Sequence, residues 1–134
     1  HGDTGVATQT RLLEAALDAH PELRYVVGTA VTAEAAVKVL HDRGLADRVQ
    51  VLAYYFTRDV FRGLRSGTIQ AAPTDSPVLQ GRIAVDLAIR LLEGKAASDI
   101  VSPYILLLDK NGLSRFTRLS SLAPGGTHII YSVN

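Results

Sequence analysis

Tyr25-Val26-Val27-Gly28-Thr29-Ala30-Val31-Thr32-Ala33-Glu34-Ala35-Ala36-Val37-Lys38-Val39-Leu40, followed after Gly44 by Val49-Gln50-Val51-Leu52-Ala53-Tyr54-Tyr55, decides the fold. Tyr25 to Gly28 is a short run of β-favouring residues. Thr32 can cap a helix in which Ala33, Ala36, Val37 and Leu40 recur at i, i+3, i+4 and i+7. Gly44 then stands where a helix end favours a left-handed residue. Val49 to Tyr55 is a second strand. Two strands joined by a helical crossover pair in parallel, so the fold class is α/β, a three-layer αβα arrangement whose mostly parallel sheet is covered on both faces.

The flanks extend this pattern. Ala7 to Ala19 places Leu12, Leu13, Ala16 and Leu17 on one helical face, opposite Arg11, Glu14 and Asp18, and Pro21 ends that helix. Arg58 to Leu64 is a short helix stopped near Gly67, and Thr68 to Ala72 a third strand. Ser76 followed by Pro77 fits an N-cap and a first helical residue. The helix it opens runs to about Glu93 and ends at Gly94. It is apolar over much of its surface, with Arg82, Asp86, Arg90 and Glu93 as its polar stripe. Tyr104 to Leu108 lacks alternation and reads as a buried strand. Asn111-Gly112 is a turn signal, Pro124-Gly125-Gly126 a loop, and His128 to Val133 a further strand. The chain has no repeats.

Composition narrows the function. The 134 residues suit one domain-sized fold, and 47% hydrophobic against 20% charged residues excludes disorder over most of the length. A net charge of +1 argues against a nucleic-acid surface. The chain holds no Cys, which removes disulfides, thiolate zinc sites and cysteine nucleophiles. It also has no Met and begins at His1, so a removed leader or a longer parent protein is expected.

Few motifs point to catalysis. Asp3-Thr4-Gly5 matches the aspartic-protease triplet, but that triplet follows an apolar strand in an all-β fold, and here a helix follows. The dinucleotide, P-loop and nucleophile-elbow patterns do not occur. His1, His20, His41 and His128 have no metal-ligand spacing. Neither an enzyme, a cofactor nor a metal is expected. The informative cluster is Tyr54-Tyr55-Phe56 at the outgoing end of a parallel strand, where ligands of open α/β sheets bind. Aromatic faces there suit a cationic or methylated amine. By alternation, at most one of Tyr54 and Tyr55 faces a pocket, and core packing is the competing role. Thr29 and Asp75 occupy two other strand ends, Asp75 with helix capping as its alternative.

The order of Gly2-Asp3-Thr4-Gly5, Ala19-His20-Pro21-Glu22-Leu23, Tyr25-Val26-Val27-Gly28, Val49-Gln50-Val51-Leu52 and Gly81-Arg82-Ile83-Ala84 resembles the C-terminal lobe of type I periplasmic binding proteins, the ribose-binding-protein-like and LacI-like solute binders. Val26 to Ala36, Val60-Phe61-Arg62-Gly63-Leu64 and Ala72-Pro73-Thr74-Asp75 resemble the branch of that family that senses trimethylamine N-oxide. The resemblance implies residues 1–72 as an incomplete C-terminal lobe. It implies residues 73–97 as a crossover and a helix that packs on an N-terminal lobe, and residues 98–134 as a return strand and tail. It also implies a periplasmic, non-enzymatic binder with Tyr55, Tyr54, Thr29, Asp75 and Asp3 at the ligand. The ligand it implies is a small polar or methylated amine, and the partner it implies is a membrane sensor histidine kinase. A LacI-like regulator or a sugar-type transport receptor is the alternative. Sugar binders usually carry an acid where Tyr55 stands and Asn or Asp at Thr29 and Ala30, and a pocket without those acceptors leaves sugar hydroxyls unpaired. Self-association of this chain through the Ser76–Glu93 helix is a further expectation.

Overall fold

The computed structural model describes residues 5–96, 98, 100–125 and 127. Nine elements follow in order: α1 (Val6–Ala19), β1 (Tyr25–Gly28), α2 (Ala30–Asp42), β2 (Gln50–Ala53), α3 (Arg58–Ser66), β3 (Ala72–Thr74), α4 (Pro77–Leu92), β4 (Leu106–Leu108) and α5 (Arg115–Ser121). The chain forms two compact units. The first runs through Thr74 and takes in Ile105–Leu113; the second joins Asp75–Tyr104 to the residues from Ser114 onward.

In the first unit β1 and β2 pair in parallel, Tyr25 opposite Gln50 and Gly28 opposite Ala53, as the crossover reading requires. α2 explains its own composition. It touches α1, both strands and α3, so it is enclosed on several sides, and Ala30, Ala33, Ala35 and Ala36 are all buried. Small residues let a helix approach that many neighbours without voids. Leu13 and Leu17 of α1, Val39 and Leu40 of α2, Val26, Val51 and Ala53 of the strands, and Val60, Leu64 and Ile69 complete this core. α2 closes in a Schellman motif: Gly44 has φ +66°, its N–H donates to His41 O at 3.0 Å, and Leu45 N–H donates to Leu40 O at 2.8 Å.

Several expectations are corrected. α2 starts at Ala30, and Thr29 rather than Thr32 is its N-cap: the Thr29 hydroxyl accepts from Thr32 N–H at 3.2 Å. Leu12 is exposed, because the face of α1 that packs, chiefly on α2, is a stripe that Leu13 and Leu17 fill. The third strand lies at Ala72–Thr74, not Thr68–Ala72, since the chain up to Ile69 is held as a turn: Ile69 N–H and the Ser66 and Thr68 hydroxyls all donate to Gly63 O. Gln70 N–H to Val51 O (2.8 Å) and Ala53 N–H to Ala71 O (3.0 Å) then carry the parallel pairing onward. Ala72–Thr74 instead pairs antiparallel with β4.

Cover on the sheet is one-sided within this unit. Val26, Val51 and Ala53 are buried, whereas Tyr25 and Val27 on the other face are exposed. The apolar run Tyr104 to Leu108 is likewise not buried. Its strand is Leu106–Leu108, in which only Leu108 is enclosed, and Leu107 is 76% exposed. An antiparallel strand with one partner covers one side of each residue, and the described chain places nothing over the other.

In the second unit α4 begins at Pro77, with Ser76 as its N-cap in a left-handed conformation (φ 56°). The Ser76 side chain makes no cap bond; its hydroxyl, buried, donates to Ser120 of α5 at 3.4 Å. None of the residues of α4 is buried, and Val85, Ile89, Leu91 and Leu92 lie open. α5 went unread in the sequence. It carries a reciprocal capping box between Ser114 and Thr117, with Thr in place of the usual Glu or Gln. The strand expected at His128 to Val133 lies outside the described residues. No helix among the described residues is long and apolar enough to cross a membrane.

Candidate ligand-binding site

The outgoing edge of the parallel pair is built by two fixings on either side of the tyrosines. Tyr54 N–H donates to Gly28 O at 2.9 Å, carrying the parallel ladder one residue past β2. Two residues on, Phe56 is buried, and its ring meets Phe61 of α3 edge-on, centroids 6.4 Å apart and planes at 74°. Arg65 lies over the Phe61 ring, 5.8 Å from its centre. Thr57 then caps α3, its hydroxyl accepting from Val60 N–H at 3.2 Å. Tyr54 and Tyr55 are left between a pinned main chain and a buried ring, with 54% and 67% of their surface exposed.

Both tyrosines are therefore on the surface, and the core role falls to Phe56. Alternation, which put at most one of them toward a pocket, does not apply here, because β2 ends at Ala53 and the extended pleat does not continue through Tyr55. Within the Tyr54-Tyr55-Phe56 cluster, Phe56 was not singled out as the inward ring. Its signal was present, since a third aromatic directly before a capped helix is a natural anchor.

Gly28 brings Thr29 to the same edge. A Cβ at Gly28 would stand 2.5 Å from Thr32 Cγ2 and 2.6 Å from Thr32 Cβ, so the strand tip and the first turn of α2 meet at a distance only glycine allows. Thr29 is half-buried. Its hydroxyl lies 3.0 Å from the Thr32 hydroxyl, which donates to Gln9 Oε1 on α1 at 2.9 Å. The structure thus brings Thr29, Tyr54 and Tyr55 together on one edge of the first unit. Asp75, exposed, opens the second unit; it is not the cap of α4, and its main-chain carbonyl accepts from Gln80 Nε2 at 2.7 Å. Asp3 lies outside the described residues. Among those residues there is no group of three or more His, Asp or Glu that could hold a metal.

Other concavities lie elsewhere. A cavity of about 360 Å³ opens at the entering end of β2, between Val49, Gln50 and the last turns of α2, and one of about 580 Å³ runs between Glu34 on α2 and Asp59 and Arg62 on α3. Burial, with the Asp59 charge adding to it, pushes the Glu34 carboxyl above its usual range.

The family model for periplasmic binding proteins and the sugar-binding domain of the LacI family matches residues 1–121. The chain belongs to this family. It is 41% identical over 130 residues to the periplasmic protein TorT of Escherichia coli K12, a match that takes in 97% of this chain and 37% of that protein. It is 46% identical, with a TM-score of 0.90, to the crystal structure of an ABC transporter solute binding protein from Bradyrhizobium sp. BTAi1 with bound Bis-Tris, covering 98% of this chain and 39% of that one. It is 30% identical to TorT in complex with the TorS sensor domain, solved both without ligand and in the presence of trimethylamine N-oxide. Each of those matches has a TM-score of 0.91 and covers 44% of that chain. The chain thus spans well under half the length of the relatives it matches, and its fold is that of type I periplasmic binding proteins.

Proposed function

We propose that this sequence supplies one wall of the ligand cleft of a periplasmic receptor of the TorT type. The wall takes a small methylated amine N-oxide against the faces of Tyr54 and Tyr55, and the receptor passes the signal to a membrane sensor histidine kinase of the TorS type. The carrying observation is the exposed tyrosine pair on the outgoing edge of the parallel strands, held between the Gly28 main-chain bond and the buried Phe56 ring. Phenol rings offer negative faces to N-methyl groups around a positive nitrogen, and their hydroxyls can donate to an N-oxide oxygen. On this reading residues 1–72 are part of the second lobe, residues 73–97 cross to a helix that packs on a first lobe, and residues 98–134 return. The open apolar face of α4 has its use there, and in the isolated chain it is the surface for self-association. The receptor binds and releases its ligand without chemistry, and lobe closure changes its affinity for the kinase.

A second reading, a transport receptor, is favoured by the Bradyrhizobium solute binding protein, whose structure holds bound Bis-Tris, itself a tertiary amine. Calorimetric titration of the complete protein containing this sequence with trimethylamine N-oxide and with ribose tests the ligand class. Binding of the amine oxide, weakened by about 1–2 kcal/mol in Tyr55→Ala, is the expected result for a desolvated ring–cation contact. Ribose binding in place of the oxide, or unchanged affinity in the variant, refutes it.

A further inference from the structure

We infer that Gln9 and Thr32 fix the hydrogen-bonding polarity of Thr29, so that the β1 tip of the proposed site offers a ligand an acceptor and never a proton. The inference rests on the reading of Thr29, Tyr54 and Tyr55 as one ligand wall, and it names which ligand chemistry each part of that wall takes.

The inference follows from counting hydroxyl protons. Each threonine hydroxyl has one proton and two lone pairs. Thr32 spends its proton on Gln9 Oε1 at 2.9 Å. The 3.0 Å contact between the two threonine hydroxyls therefore has Thr29 as donor, because Thr32 has none left to give. Thr29 also accepts from Thr32 N–H at 3.2 Å. Its proton and one lone pair are thereby committed, and one lone pair remains. The three residues are all half-buried, where such a chain is not readily exchanged for water. An N-oxide oxygen, which can only accept, cannot bond Thr29 without breaking the relay, and must take its proton from a tyrosine hydroxyl. An N–H of a protonated methylated amine can bond Thr29 directly. Gln9 and Thr32 are positioning residues: they act on the ligand through Thr29 and lie behind it on α1 and α2.

The test uses the complete protein containing this sequence and two probes, trimethylamine N-oxide and trimethylammonium chloride, titrated by calorimetry into wild type, Gln9→Leu and Gln9→Glu. Leucine accepts nothing, so the Thr32 proton is released to Thr29, and the Thr29 proton becomes available to a ligand oxygen. The ratio of oxide to ammonium affinity is expected to rise about three- to tenfold, the scale of one net hydrogen bond. Glutamate is an acceptor and keeps the relay direction, so its ratio should stay within about twofold of wild type. A purely structural role for Gln9 lowers both affinities together in Gln9→Leu and leaves the ratio unchanged, which overturns the inference. The ligand-free protein supplies a second readout, because NMR should find the Thr29 hydroxyl proton exchanging slowly with water in wild type and faster in Gln9→Leu. If wild type binds neither probe, the ligand reading fails. In that protein a slow Thr29 proton still supports the relay, and a fast one overturns it.

Discussion

Gly63 sits in the middle of α3, where alanine ordinarily stabilises a helix by about 0.8–1 kcal/mol. Here the neighbour reverses the sign. A Cβ at Gly63 would stand 2.6 Å from Ile69 Cδ1, 2.7 Å from its Cγ1 and 3.2 Å from its Cβ. Ile69 is among the most buried side chains, and its own N–H donates to Gly63 O at 3.1 Å, so its main chain cannot back away. Overpacking a fixed contact costs about 1–3 kcal/mol. Set against the propensity gain, Gly63→Ala should destabilise by about 1 kcal/mol, with a range from near zero to about 2. Removing the obstruction should restore the helical sign. In an Ile69→Ala background the Cδ1 and Cγ1 contacts vanish, and Gly63→Ala should then stabilise by up to about 1 kcal/mol while partly filling the cavity. Ile69→Val, which loses only Cδ1, should fall between. Gly81 is the control: it lies within α4 and a Cβ there meets nothing within 4 Å, so Gly81→Ala should show the propensity gain alone. Urea unfolding of wild type, the four single variants and the two double variants at Gly63 and Ile69 reads these signs. Gly63→Ala stabilising in wild type, or having the same effect in all three backgrounds, refutes the reasoning.

Two pH effects of opposite sign follow from the carboxylates. Asp18 on α1 is held below its usual range by the Arg43 guanidinium at the end of α2, 2.6 Å away. A lowered folded value means stability present above about pH 4 and lost as pH falls through the folded value. The gap between wild type and Arg43→Ala should therefore be open near neutrality and close in acid; a gap that persists at low pH assigns it to packing of the arginine stem. Glu34 is raised by burial and by Asp59, so its ionisation disfavours the fold, a cost that sets in above about pH 4 and is complete once pH exceeds the folded value. Glu34→Gln should be more stable than wild type near neutral pH and lose that advantage below about pH 4, as unfolding midpoints across pH will show.

What could be read from the sequence divides along a physical line. The β1–α2–β2 crossover was legible because periodicity, a glycine stop and β-branched runs all report local requirements. The start of α2 was not, because Thr29 and Thr32 stand at cap and N3 spacing of each other, and only the fit of the Gly28 tip against Thr32 selects the first. α5 was hidden by a Thr at the box position and by its seven residues. The tyrosine pair could be picked out as a candidate, but its outward display depends on β2 ending at Ala53 and on Phe56 turning inward, and alternation cannot foresee where pleating stops.

The larger misreading, at Tyr104 to Leu108, carries information of its own. An apolar pattern reports what a segment needs for cover, not what its own chain supplies. α4 has no buried residue and β4 has one, while α2 is enclosed on several sides. The same contrast bears on binding. A ligand laid on Tyr54 and Tyr55 alone keeps much of its hydration, and a ring–cation contact in water is worth about 0.5–1 kcal/mol against about 2 when desolvated. This chain by itself should therefore hold a methylated amine only weakly, and useful affinity requires a second surface closing over the tyrosines. On the proposed reading, that requirement turns a passive wall into a sensor. If affinity comes from closure, occupancy of the site and the closed arrangement rise together, and any partner that distinguishes closed from open reads the ligand without touching it.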